Sequence, residues 1–399
     1  MPKITPQVGI LGGTFLFITS IAICTILVPL RMLELGFSLP QIGVVAATAA
    51  MISLLGQLPG GAFCDRSGQR LPLVLSFLSL SFVGLGMIIS NTLLLFVISM
   101  VFRGFSGALY FPASQSYASL LDPPRAAVIL GRQTSAIAIA SIAGALTAGY
   151  VASFFGFITA FAISAVLAFL GLVLTMLTPK LPETDAQKTP QPFRVILKNA
   201  RFLLSTSRTL QLALFCAFLA AIPFALNGSF YPVYYVSLGY DERMVGILSA
   251  LLNITVFITG LAFGYLNKRF HFRIIIIASL LGTGLSMVFL AWATSLFLII
   301  PVIMLQGLVL GLAAVMSVFL ASEAAGAGER GISIGVMEMG FSGALFLIPL
   351  SFGFALERIE YGTAFLILGT FLIFFGVLFK TTIRRSALNQ PMQKRKVSA

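Results

Sequence analysis

Hydrophobic residues in this chain run in unbroken stretches of about 20 to 30 positions, and charged residues collect in the short intervals between them. The stretches lie near 8–32, 41–64, 71–90, 93–120, 132–155 and 157–178, then near 209–235, 244–266, 274–293, 296–322, 331–355 and 361–381. A helix needs about 20 mostly apolar residues to cross the hydrocarbon of a bilayer, and only helices or closed barrels satisfy the backbone there. These runs are continuous rather than alternating, so the pattern predicts an all-α membrane protein with twelve transmembrane helices. The interval 179–208, opening Pro179-Lys180-Leu181-Pro182-Glu183-Thr184-Asp185, is too polar to span. It separates a six-helix bundle at 1–178 from a second at 209–381, which a basic tail at 382–399 follows. Within the linker, Phe193 to Leu204 has apolar residues at helical spacing among Arg194, Lys198 and Arg201, the pattern of a basic amphipathic helix lying in the membrane interface.

Composition agrees with lipid as the solvent. Of 399 residues, 58% are hydrophobic and only 9% charged, against about 25% charged in soluble domains. The net charge of +13 would suit nucleic acid, but its distribution gives a simpler reading. With the N-terminus inside, Lys3, Arg66, Arg70, Arg125 and Arg132 fall on the cytoplasmic side. So do the linker's basic residues, Lys268, Arg269, Arg273 and Arg330, and the tail. The opposite face has only Arg31, Arg243 and Arg358 against five carboxylates. This positive-inside bias predicts two cytoplasmic termini and calls for no nucleic-acid partner. Cys24, Cys64 and Cys216 lie in apolar runs without metal-ligand spacing, so neither a metal site nor a disulfide framework is expected. The first apolar run lacks a small-residue cleavage site and is read as a span rather than a signal peptide.

The two halves repeat at an offset of 203 residues. Pro29 meets Pro232, Leu35-Gly36-Phe37 meets Leu238-Gly239-Tyr240, and Gly43 meets Gly246. Gly61 meets Gly264, Arg66 and Arg70 meet Arg269 and Arg273, and Arg103-Gly104 meets Gln306-Gly307. After a slip of one residue, Thr159-Ala160-Phe161 meets Thr363-Ala364-Phe365. Six spans per half give both repeats the same orientation, as in two bundles related by an axis along the membrane normal.

Between the second and third spans stands Gly61-Ala62-Phe63-Cys64-Asp65-Arg66-Ser67-Gly68-Gln69-Arg70. Gly61, Asp65, Arg66, Gly68 and Arg70 fill, in order, every fixed position of a Gly-x-x-x-Asp-Arg-x-Gly-x-Arg loop. In this the chain resembles the major facilitator superfamily of secondary transporters. The resemblance implies two six-helix bundles rocking around a midplane site. It also implies a cytoplasmic gate in which Asp65 faces the start of the eleventh helix, where the helix dipole favours an anion. Arg66 or Arg70 could pair with Asp122 beyond the fourth span; the bland reading is that these charges only set topology. In the second half Lys268 replaces Asp65 and His271 replaces Gly68, so only the first loop offers an anion.

Ionisable residues inside a membrane are costly and mark function by default. Arg103 lies about 15 Å into the fourth span, near the midplane. It opens Arg103-Gly104-Phe105-Ser106-Gly107, which resembles the superfamily's fourth-helix motif for proton coupling or substrate binding; the alternative is a structural arginine bonded to backbone or polar groups. Glu338 lies about 12 Å into the eleventh span. A carboxyl held there could take up and release a proton within the working pH range, or remain a neutral group joining helices. In this superfamily helices 1, 4, 7 and 10 line the cavity. The corresponding candidates are Phe105, Tyr110 and Gln115, then Asn227, Tyr231 and Tyr234, then Gln306. Gly144-Ala145-Leu146-Thr147-Ala148-Gly149 in the fifth span departs from the superfamily's drug-antiporter motif, lacking its proline and one glycine.

The reading is a multi-pass, monomeric transporter of a bacterial inner membrane, working among lipids without a cofactor or a catalytic site. The expected activity is proton-coupled efflux of an amphipathic neutral or anionic small molecule, a drug-like metabolite or siderophore. An uptake symporter or facilitator, and a receptor or assembly protein with the same fold, are the alternatives.

Overall fold

The computed structural model describes residues 5–122, 125–179, 193–269, 272–324 and 330–385; a few side chains inside these ranges, that of Asp65 among them, are not described. The linker residues 180–192, His271, Glu329 and the tail from 386 lie outside this set. The described residues form helices and no strand. In the first half these are α1 (Pro6–Glu34), α2 (Leu39–Ser67), α3 (Arg70–Ile89), α4 (Leu93–Leu121) and α5 (Ala126–Leu177). Then come α6 (Phe193–Thr206), α7 (Arg208–Asn227), α8 (Phe230–Ser237), α9 (Glu242–Arg269), α10 (Phe272–Leu290), α11 (Leu296–Ala324), α12 (Arg330–Ala355) and α13 (Tyr361–Arg385). Eleven of them are long and apolar enough to cross a membrane.

Eleven helices make the expected twelve crossings because α5 has 52 residues and turns at Gly156, whose φ of 82° is open to glycine at little cost. The fifth and sixth spans are its two arms. The seventh span, expected to be continuous, is divided at Gly228-Ser229 into α7 and α8. Ser229 turns its hydroxyl back onto the Ala225 carbonyl at 2.7 Å. At the far end from the termini, Gly36 (φ 80°) follows α1 and Gly239 (φ 88°) follows α8 in matching turns. Phe37 N–H donates to the Met32 carbonyl in one, and Tyr240 N–H to the Tyr235 carbonyl in the other.

The repeat extends to contacts. A Cβ on Gly104 of α4 would lie 2.5 Å from the Ala49 carbonyl of α2; one on Gly307 of α11 would lie 2.6 Å from the Leu252 carbonyl of α9. Each partner is displaced by the same 203 residues. With lipid as apolar as leucine, such close backbone approach, rather than water exclusion, holds the helices together. Large apolar side chains such as Phe154, Phe155, Phe297 and Phe374 point outward, as a lipid-facing surface requires.

The bundles meet along two pseudo-equivalent seams, α2 against α12 and α5 against α9, with α1 touching α8 between them. Near the far end, a Cβ on Gly43 would lie 2.5 Å from the Pro349 carbonyl and 3.3 Å from Gly353 Cα. In the other seam one on Gly246 would lie 2.6 Å from the Ala145 carbonyl and 2.8 Å from Gly149 Cα. Towards the termini the first seam loosens: Gly335 meets only the Leu58 side chain at 3.7 Å, and Gly61 has nothing within 4 Å.

Candidate transport pathway

Thr92 caps α4, its hydroxyl accepting from Leu95 N–H, and eleven residues on the helix presents Arg103. Gly104 beside it lets α4 press against α2. One Arg103 Nη donates to Thr25 Oγ1 of α1 at 2.5 Å. Its Nε is buried without a partner. Thr25 stands opposite Gly228: a Cβ there would lie 2.8 Å from the Thr25 methyl. Thr25 and Gly228 are themselves repeat equivalents, so Arg103 is anchored where α1 and the α7–α8 break meet. A guanidinium with an unused donor at this junction can bind an anionic or carbonyl oxygen.

Gln306, the repeat counterpart of Arg103, is fully buried. Its Nε2 lies 3.8 Å from Met287 Sδ, which also accepts from the Tyr231 hydroxyl at 3.4 Å. Tyr234 donates to the Leu290 and Ala293 carbonyls, and Asn227 accepts from Ser249 at 3.0 Å. Tyr110 donates to Thr14 at 3.0 Å and stacks on Phe17 with centroids 3.6 Å apart. Tyr110, Tyr231, Tyr234, Asn227 and Gln306 therefore pack inside their bundles rather than facing a space between them. Phe105 and Gln115 are exposed.

At the loop, Gly68 adopts φ 74° and permits the turn from α2 to α3. Gln69 is buried and donates to Ser116 of α4 at 3.3 Å. Arg66 is exposed, while Arg70 donates to the Met176 carbonyl at the end of α5. Neither is paired with Asp122 among the described contacts, so the expected Arg–Asp122 link gives way here to Arg70 holding α3 to α5. Asp65 has no described side chain.

Glu338 is half-buried on α12, with no ion pair to Arg103. One turn along, Ser342 accepts from Gln57 Nε2 of α2 at 2.9 Å, a side-chain bond across the seam. Gln57, Thr25 and Ser342 were not among the residues singled out from the sequence. Gln57 could have been, since it is a polar residue within an apolar span; Thr25 and Ser342 carry no such signal.

The model of the Major Facilitator Superfamily matches residues 10–224 and again 213–398, one match per repeat. The chain belongs to the major facilitator superfamily. It is accordingly a multi-pass membrane transporter and not an enzyme. An uncharacterized MFS-type transporter of Methanocaldococcus jannaschii is 22% identical over 367 residues, covering 88% of this chain and 91% of that protein. The staphyloferrin B transporter of Staphylococcus aureus is 23% identical over 312 residues, covering 74% and 72%. Among solved structures, the nucleoside transporter NupG aligns with a TM-score of 0.80 at 15% identity, covering 96% of this chain and 100% of that one. A D-xylose-proton symporter aligns with a TM-score of 0.75 at 16% identity, covering 94% and 96%. At such identities the likeness is one of fold. The superfamily's architecture accounts for the two seams, which are the surfaces along which its bundles rock.

Proposed function

We propose that this chain is a proton-coupled exporter of an amphipathic neutral or anionic small molecule, such as a drug-like metabolite or a siderophore. The observation that carries the reading is Arg103, a midmembrane cation fixed by one bond to Thr25 with its Nε unpaired. A charge held at that depth costs several kcal/mol unless it is paired or hydrated, and a carboxylate or carbonyl of a substrate would complete it. The likeness to a staphyloferrin B transporter supports a substrate of this kind. Glu338 is the proposed proton carrier, protonated or ionised as the bundles alternate. The protein works as a monomer in a bacterial inner membrane with both termini in the cytoplasm, and the proton gradient drives it. Reconstituted protein under an imposed pH gradient tests this: carboxylate-bearing amphiphiles should move against the proton flux. Co-movement with protons would make it an uptake symporter, and movement indifferent to the gradient a facilitator.

A further inference from the structure

Three contacts set the register of α2 against α12. Near the far end Gly43 lies on Pro349 and Gly353; midway Gln57 Nε2 donates to Ser342 Oγ at 2.9 Å; beyond that Leu58 lies against Gly335. Gly335, Glu338 and Ser342 are spaced by three and four residues and so share one helix face. Glu338 thus stands on the stripe of α12 that meets α2, between two contacts with that helix. Two features opposite it have no structural use in this arrangement. Gln57 Oε1 is buried and accepts no hydrogen bond from the described residues. Gly61, one turn beyond Gln57, has open space where a side chain would be.

The other charged or titratable groups on the helices packed against α12 lie elsewhere. Cys64, Asp65 and Arg66 end α2, Arg208 begins α7, and Glu323 ends α11, all towards the termini-bearing end. Arg194, Lys198 and Arg201 are exposed on α6. Cys216 of α7 is buried in the apolar cluster with Val336 and Met337. None offers Glu338 the neutral acceptor that the Gln57 amide does.

We infer that Gln57 is the positioning residue through which protonation of Glu338 closes the α2–α12 seam. The neutral carboxylic acid donates its O–H to Gln57 Oε1, so that the amide bridges Glu338 and Ser342 and clamps the helices. On ionisation the proton leaves to water, and the carboxylate, with nothing to donate, faces the amide oxygen. It is then hydrated through the space beside Gly61, because a buried charge needs solvation or a partner, and the seam loosens. This rests on the proposed proton coupling and adds the means by which it reaches the bundles.

The test uses full-length protein in proteoliposomes, with spin labels at the termini-bearing ends of α2 and α12, titrated from acid to alkaline pH without substrate. The closed-seam population of wild type should fall on going alkaline by about 5-fold or more, the range of ordinary coupling. Gln57→Met, which keeps the length but removes both the acceptor and the donor to Ser342, should weaken closure and flatten the titration, whereas Ser342→Ala should weaken closure at every pH and keep the titration. Glu338→Gln, whose amide still donates, should favour the closed seam at all pH values, and Gln57→Met added to it should release that bias. A wild-type titration in Gln57→Met, or no pH response in wild type, would overturn the inference. Transport read in the same vesicles separates the two readings. If a pH gradient drives transport while Gln57→Met titrates like wild type, coupling stands and the clamp falls. If no gradient drives transport, the coupling reading falls on its own account.

Discussion

At the scale of single residues, Arg103 and Glu338 illustrate how differently two half-buried ionisable groups can be held. Arg103 has one bond to Thr25 and an unused Nε, a geometry that leaves room for a ligand oxygen. Hydrogen bonds to charged groups contribute about 1.5–3 kcal/mol, so Arg103→Ala should reduce substrate affinity about 10- to 100-fold without loss of folded protein. Binding to purified variant, compared with its elution as intact folded protein, checks this; wild-type affinity would remove Arg103 from the site. Among the described contacts Glu338 has no such bond. Glu338→Gln should abolish driving by a pH gradient while substrate exchange persists at a rate independent of pH. Counterflow and gradient-driven flux in the same vesicles measure both, and undiminished driving would exclude Glu338 as the proton carrier.

Among elements, the glycine pairs of the two seams matter most. Gly43 with Gly353 and Gly246 with Gly149 bring backbones so close that no side chain fits between them. Both pairs sit at the far end, which is the closed end in this structure. Overpacking costs about 1–3 kcal/mol, comparable to the gap between conformers of a two-state protein. Gly246→Trp should therefore hold the far end open, raising thiol accessibility there and stopping turnover while binding is retained. Unchanged accessibility would mean that the α5–α9 seam does not close the far end. The same glycines appear in the sequence as repeat equivalents, but only the fold reveals that they meet across bundles.

For the whole molecule, the two halves are alike in path and unlike in chemistry. Arg103 stands where the second half has Gln306, and Asp65 stands where it has Lys268. A strictly symmetric pair of bundles, related by an axis along the membrane normal, would carry like loops on the same face; here only the loop of the first bundle has an anion. Asp65→Asn should slow exchange between inward- and outward-open forms and leave substrate binding intact. Cysteine accessibility at both ends measures the populations, and identical populations in mutant and wild type would rule out a gating role for Asp65.

The sequence by itself determined the membrane class, the twelve crossings, the repeat and the charged residues in the spans. These depend on length, continuous hydrophobicity and the cost of burying charge, all of which are local or additive along the chain. It did not determine which side of each helix faces its neighbours. In lipid a helix is apolar all round, so the contrast that marks the buried face of a soluble helix is missing. For that reason Tyr110, Tyr231 and Tyr234, read as cavity candidates, could only be assigned to bundle interiors once Phe17, Met287 and Leu290 were seen against them. The tertiary structure alone decided that Gln57 reaches Ser342 across 285 residues of chain. It also decided that Thr25 and Gly228 meet beside Arg103, because such contacts arise from the packing of one bundle on the other.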